Sequence, residues 1–124
     1  MKKFLTILGF LFSVTLFAQT GEDVVNALKE GSVPKFTGYF SSNVDVKLPQ
    51  KNEMKNVSKA DASGAVSGFF SSNKINTFEV TSQREMSGTM YIAGKLKGAS
   101  QDYNLTVMLK GSGNSLAVIT VRIS

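Results

Sequence analysis

Acid–base and metal chemistry in this sequence would have to rest on carboxylates, because the chain contains 9 Asp and Glu residues and no His or Cys. Imidazole catalysis and His-ligated metal sites are therefore excluded. Glu79, Asp102 and Asp45 alternate with apolar residues in predicted strands, so they point away from the predicted core. No Gly-rich phosphate loop follows a predicted strand. The sequence predicts no catalytic residues, no cofactor and no metal site.

Four polar side chains are predicted to lie on the same faces of strands and helices as apolar residues, and they could line a pocket. They are Tyr39, Ser82, Arg84 and Tyr103. Two phenols and a guanidinium could orient a small, anionic ligand in an apolar cavity. In the alternative interpretation, both tyrosines are core residues whose hydroxyls reach solvent or backbone, and Arg84 extends to a rim. We predict these four residues as ligand-binding and leave that alternative open.

The elements that must position these side chains lie mainly in the last third of the chain. Four runs there alternate apolar and polar residues: Thr77 to Arg84, Met90 to Lys97, Asp102 to Lys110 and Leu116 to Ser124. Alternation with period two and short connecting turns predict an antiparallel meander. Placing the apolar sets on one face sets Leu96 opposite Tyr103 and Ile92 opposite Val107. The same rule sets Val107 opposite Ile119.

This register also predicts what the opposite, outer face of the sheet presents. Tyr91, Met108 and Val118 fall side by side there, with Thr106 and Thr120 beside them. Tyr and Met are enriched at interface centres, so the pattern favours a homodimer formed through the outer face. The alternative is ordinary surface, since folded monomers expose much apolar area.

Helical signals dominate the first half of the chain. Thr20 and Asp23 form a capping pair, and Gly31 provides a stop. Ser32-Val33-Pro34 restarts a helix that we expect to end at Asn43. A strand to Leu48, a short strand near Met54 to Val57 and a helix capped by Ser58 follow. The last helix carries one apolar stripe: Ala62, Ala65, Val66, Phe69 and Phe70.

The order of helix, helix, strand, short strand, helix and four-strand meander resembles the nuclear transport factor 2-like superfamily. The whole chain after its start resembles domain of unknown function 4783, a small secreted bacterial family. The residues that carry the resemblance are Tyr39 to Val44, Leu48-Pro49, Ser58-Lys59-Ala60, Phe69-Phe70 and the closing strand to Ile123. The resemblance implies an α+β fold: a strongly curved antiparallel sheet that wraps, as a cone, around an N-terminal helical layer.

The start of the chain predicts export. Lys2 and Lys3 precede an apolar segment from Phe4 to Phe17, and Ala18 offers a small residue for cleavage. Residues 1–18 are thus predicted to be a signal peptide and residues 19–124 one domain. A membrane anchor is the weaker alternative, because the apolar segment falls short of the roughly 20 residues that span a bilayer. We expect a periplasmic or extracellular protein with no stable membrane span after cleavage.

Charge gives no sign of nucleic-acid binding. Loss of Lys2 and Lys3 leaves 12 basic residues against 9 acidic ones, and the lysines are spread along the chain. Three classes of function stay open: a non-catalytic binding or protein-interaction domain, a carrier of a small apolar or anionic ligand in the cone interior, and an enzyme of unrecognised type. An interior filled by phenylalanines would disfavour the carrier.

Overall fold

A computed structural model of the chain describes residues 20–112 and 115–124, and the predicted signal peptide lies outside these ranges. The helices are α1, residues 20–29, α2, Val33–Thr37, and α3, Lys59–Ser72. The strands are β1, Phe40–Lys47, β2, Met54–Ser58, β3, Thr77–Met86, β4, Thr89–Lys97, β5, Asp102–Ser112, and β6, Ser115–Ile123. No helix in the described ranges is long and apolar enough to cross a bilayer.

The six strands form one sheet in the order β2-β1-β6-β5-β4-β3. β1 runs parallel to β6, and every other neighbouring pair is antiparallel. The sheet is mixed and open, with β2 and β3 at its edges. The predicted α+β class and the predicted order of elements are confirmed.

The positions of α1 and α3 agree with the capping and stop residues in the sequence. Val24 and Leu28 of α1 are fully buried, and Gly31 after it has φ of 71°. Ser58 caps α3 by accepting a hydrogen bond from the Asp61 N–H at 3.1 Å. Asn73 ends α3, where its side-chain amide donates to the Phe69 carbonyl oxygen at 2.9 Å.

The second helix is shorter than the sequence predicts. It ends at Thr37, not at Asn43, and Phe40 already belongs to β1. The Val118 N–H donates to the Tyr39 carbonyl oxygen at 2.7 Å, and Phe40 pairs with Val118 on β6. This parallel pairing satisfies backbone groups that a longer helix would have used, so a distant strand overrides the local pattern.

Register agrees with prediction in β4 and β5 and departs from it in β6. Leu96 pairs with Tyr103 and Ile92 with Val107, as predicted. Val107 pairs with Val121, however, and not with Ile119. The pairing shifts between Met108 and Leu109, where Ile119 is an extra residue on β6. Such a bulge reverses the alternation of side chains beyond it.

Three predicted side-chain placements are wrong because of two bulges. Val118 pairs with Leu109 and is 0% exposed, so it lies on the inner face of the sheet, not on the outer one. In β3, the pairing shifts between Val80 and Ser82. Ser82 and Arg84 therefore lie opposite outward-facing residues of β4 and are exposed on the outer face.

The interior, between the helices and the inner face of the sheet, is filled by apolar side chains. Phe36, Phe40, Phe70 and Phe78 are all buried there. The rings of Phe36 and Phe40 meet edge to face at 5.2 Å, and Phe36 stacks on Phe70 at 6.4 Å. In the described ranges, every buried side-chain nitrogen or oxygen has a hydrogen-bond partner. Phe69 is the exception to the predicted packing, because it is only half-buried.

Candidate functional site

The structure does not bring the four predicted ligand-binding residues together. Tyr103 is half-buried against the ring of Phe69, with the ring centroids 4.9 Å apart. Tyr39 lines a separate recess between α1 and α2. Ser82 and Arg84 are exposed on the outer face of the sheet. A ligand-binding role stays a prediction: Tyr103 and Tyr39 line two separate recesses, and Ser82 and Arg84 line neither of them.

A groove of about 620 Å³ lies beside Tyr103, between α3, the β1–β2 loop and the start of β5. We call it the α3 groove. Its volume is in the range of small-molecule sites. One part of its lining is apolar, another offers amides and hydroxyls, and one residue is a cation. The lining residues are Leu48, Pro49, Gln50, Lys51, Met54, Gly64, Ala65, Gly68, Phe69, Ser72, Asn73, Gln101 and Tyr103.

The helical wall of the groove is bare at Gly64 and Gly68. A Cβ atom at either position would meet no heavy atom within 4 Å, so packing does not require glycine there. Each glycine in a helix interior costs about 0.8–1.0 kcal/mol relative to alanine. The fold therefore tolerates two unfavourable residues, and their effect is to leave the groove open along α3.

A chain of hydrogen bonds fixes the polar end of the groove. The Gln101 side-chain amide donates to the Tyr103 hydroxyl at 2.8 Å, and that hydroxyl donates to Asn73 Oδ1 at 2.8 Å. Asn73 is itself held by its bond to the Phe69 carbonyl. These bonds orient the phenol ring and leave amide and hydroxyl groups at the groove surface.

A smaller polar recess of about 150 Å³ adjoins this end of the groove. It shares Ser72, Asn73, Gln101 and Tyr103 with the groove, and its other lining residues are Lys74, Ala99 and Ser100. The shared residues make the two spaces neighbours, one largely apolar and one polar. Together they could hold an elongated molecule with unlike ends.

Two residues in uncommon backbone conformations line these spaces. Four non-glycine residues in the described ranges have positive φ, and two of them line the groove or the recess: Gln50 at 61° and Lys74 at 53°. Such conformations are uncommon for these residue types. No pattern in the sequence predicted this site. The Gly64–Gly68 spacing within a predicted helix was the visible signal.

The predicted dimer surface is present except for Val118. Tyr91 and Met108 pair across β4 and β5 and are half-buried, as is Thr106. Thr120 pairs with Met108 and is 8% exposed. The outer face thus holds four of the five predicted residues in adjacent positions. The homodimer itself stays a prediction.

Several ionisable groups form surface pairs. Lys97 Nζ lies 3.0 Å from Asp102 Oδ2, and the hydrogen bond and charge of that carboxylate raise the pKa of Lys97 above its ordinary value. An exposed cross-strand pair of this kind is a surface feature and does not mark a catalytic group. Within the described ranges, no three His, Cys, Asp or Glu residues cluster as metal ligands would.

The architecture is that of the nuclear transport factor 2-like class. An NTF2-like protein of unknown function from Pseudomonas putida KT2440 superposes with a TM-score of 0.65 at 12% identity, covering 87% of this chain and 82% of that chain. An uncharacterized cystatin fold protein from Novosphingobium aromaticivorans superposes with a TM-score of 0.63 at 9% identity, covering 86% and 95%. At these identities the likeness shows the fold alone.

Within this class, the chain belongs to the family DUF4783, a domain of unknown function, whose sequence model matches residues 21–124. A DUF4783 family protein from Bacteroides ovatus ATCC 8483 is 27% identical, with a TM-score of 0.75, and the match covers 82% of this chain and 90% of that chain. The resemblance found in the sequence is confirmed. Comparison with curated proteins gave no match.

Proposed function

We propose that this protein is an exported, non-catalytic binding domain whose ligand site is the α3 groove. The observation that carries the proposal is the contrast between two spaces. The interior is filled by buried phenylalanines, whereas the groove is an open volume of about 620 Å³ with a bare helical wall at Gly64 and Gly68. A binding site needs such a volume, and the fold itself does not require these glycines.

The chemistry of the lining supports binding over catalysis. Of the described residues that line the groove, none is a carboxylate or histidine. The Tyr103 hydroxyl is already engaged by Gln101 and Asn73. Acid–base catalysis in a cleft relies on titratable pairs held within reach of one reacting atom. The groove offers instead apolar surface with fixed hydrogen-bonding groups, which suits recognition.

The alternative that the protein carries a ligand in the cone interior loses support. Phe36 is fully buried, with Phe40 and Phe70 against it. A ligand in that space would have to displace close-packed rings, which costs several kcal/mol per side chain. A small apolar or anionic ligand has room in the groove, so the proposal moves the predicted ligand from the interior to this surface.

Export is part of the proposal and rests on the charged start and apolar run of residues 1–18. Protein recovered from its host should begin near Gln19. An intact Met1 on that protein would contradict export and would leave the proposed ligand site unaffected.

Filling the groove is expected to weaken binding while stabilising the fold. Fragment binding can be followed by ¹H–¹⁵N NMR, with the Gly64 and Gly68 amides as reporters and Gly88 as a distant reference. We expect hits to shift the two groove amides. Gly68→Leu should raise the dissociation constants at least about tenfold, because its side chain enters the open volume. It should also stabilise the helix by roughly 0.5–1 kcal/mol.

The matched control is Ser71→Leu, which is exposed on the same helix and does not line the groove. It should leave binding unchanged. Fragments that leave Gly64 and Gly68 unshifted, or that bind Gly68→Leu as well as the wild type, would overturn the proposal.

A further inference from the structure

We infer that the ligand of the α3 groove is a single-chain amphiphile with an anionic head group, whose apolar chain lies along α3 and whose head lies at the polar recess. This inference rests on the proposed function and adds the chemical class of the ligand. It follows from the distribution of apolar, polar and charged side chains along the two adjoining spaces.

The apolar part of the groove suits an alkyl chain. Leu48, Met54 and the half-buried ring of Phe69 all line it. Gly64 and Gly68 let a chain approach the helix backbone closely, since nothing occupies the space where their side chains would stand. Each methylene buried against such a surface contributes about 0.8 kcal/mol.

The charged side chains that line the groove and the recess are of one sign. Of the described residues that line the groove and the recess, none is Asp or Glu, whereas Lys51 lines the groove and Lys74 lines the recess. Neither lysine forms an ion pair with a described residue. An anion would therefore be attracted, and a cation repelled.

Lys74 occupies a position that the fold alone would not assign to lysine. It follows the helix-capping Asn73 with φ of 53°, the conformation that glycine or asparagine adopts at least cost after a helix. A lysine in the last turn of α3 would gain the same attraction to the helix dipole without that strain. At position 74, the lysine instead lines the recess, which Ser72 and Ser100 also line.

The test uses three probes of equal chain length, octanoate, octan-1-ol and octylammonium, titrated by calorimetry into the purified protein. Octanoate should bind about threefold to tenfold more tightly than octan-1-ol, the range that two partly exposed ion pairs supply. Octylammonium should bind more weakly than the alcohol. The preference should shrink in 1 M salt, because exposed charges are then screened.

The double variant Lys51→Gln, Lys74→Asn should lose the preference for octanoate and keep the affinity for octan-1-ol. Asn adopts the conformation required at position 74, so the variant should remain folded. The control, Lys29→Gln with Lys110→Gln, removes two exposed lysines that line neither space. It should keep the preference.

The outcomes distinguish the inferred class of ligand from the proposed site in the groove. Equal affinity for all three probes at the groove, or an undiminished preference in the Lys51–Lys74 variant, would overturn the anionic class while the groove stands as a site. Absence of binding by all three would overturn the inferred ligand, and the proposed function would then fall only if the fragment screen also left Gly64 and Gly68 unshifted. Binding only to phospholipid vesicles of anionic composition would overturn a free ligand in favour of a membrane surface.

Discussion

Replacing Val118 by glutamate is expected to unfold the domain. Val118 is 0% exposed, pairs with Leu109 on the inner face and donates its N–H to the Tyr39 carbonyl oxygen. A carboxylate there would have neither water nor a cation to offset its burial. We expect a loss of more than about 4 kcal/mol, against a total of about 5–15 kcal/mol for a typical domain. Urea unfolding followed by circular dichroism measures it.

Ile119→Glu is the matched control, one residue further along the same strand. Ile119 is the extra residue of the β6 bulge and is half-buried. We expect a loss below about 2 kcal/mol, because its side chain retains access to water. The opposite ranking, with Ile119→Glu more damaging than Val118→Glu, would mean that β6 follows the simple alternation of its sequence and carries no bulge.

Truncating the two adjacent phenylalanines of α3 should give unequal losses. Phe70 is 3% exposed and stacks with Phe36, so Phe70→Ala should cost about 3–5 kcal/mol. Phe69 is half-buried at the groove, against Tyr103. Phe69→Ala should cost roughly 1–2 kcal/mol, since less apolar surface leaves contact with the protein.

Thermal and urea unfolding of both variants test this difference, and each serves as the other's control, because the change of residue and the helix are the same. A loss at Phe69 equal to that at Phe70 would contradict an open groove on this side of α3. In that case Phe69 would be a core residue, as the sequence pattern by itself predicts.

The stripe on α3 illustrates how far the sequence reaches. A spacing of three and four residues predicts that Ala62, Val66 and Phe70 lie on the buried face, and they do. Alternation likewise predicts the β4–β5 pairing, since one slip would turn every apolar side chain outward. These features follow from a hydrophobic pattern that spans many residues, and no single residue decides them.

The bulges at Thr81 and Ile119 could not be predicted in the same way. Each is one extra residue whose position is set by pairing with another strand, and β-branched residues suit a strand and a bulge alike. The bulges reversed the faces predicted for three site residues, because Ser82, Arg84 and Val118 all lie beyond a bulge. Alternation predicts the face on which a side chain lies only where two paired strands match residue for residue. An extra residue in one strand makes that prediction wrong.

The groove depends on three separate segments: the β1–β2 loop, α3 and, about 30 residues further along the chain, the start of β5. Sequence reasoning identified Tyr103 but could not bring Lys51 or Met54 to it, since loop geometry sets those positions. Gly64 and Gly68 were recognisable as helix residues. The space beside them is empty because of the way the helix lies against the loop, and the sequence does not show that arrangement.

The most direct test of the α3 groove as the binding site is an isotope-filtered NOE spectrum of ¹³C-labelled protein with unlabelled octanoate. The account predicts contacts from the octanoate methylenes to the Met54 methyl group and the Phe69 ring, both of which line the groove. Contacts to Phe36 or Ile92, which are fully buried in the interior, or to Tyr91 and Met108 on the outer face, would contradict it.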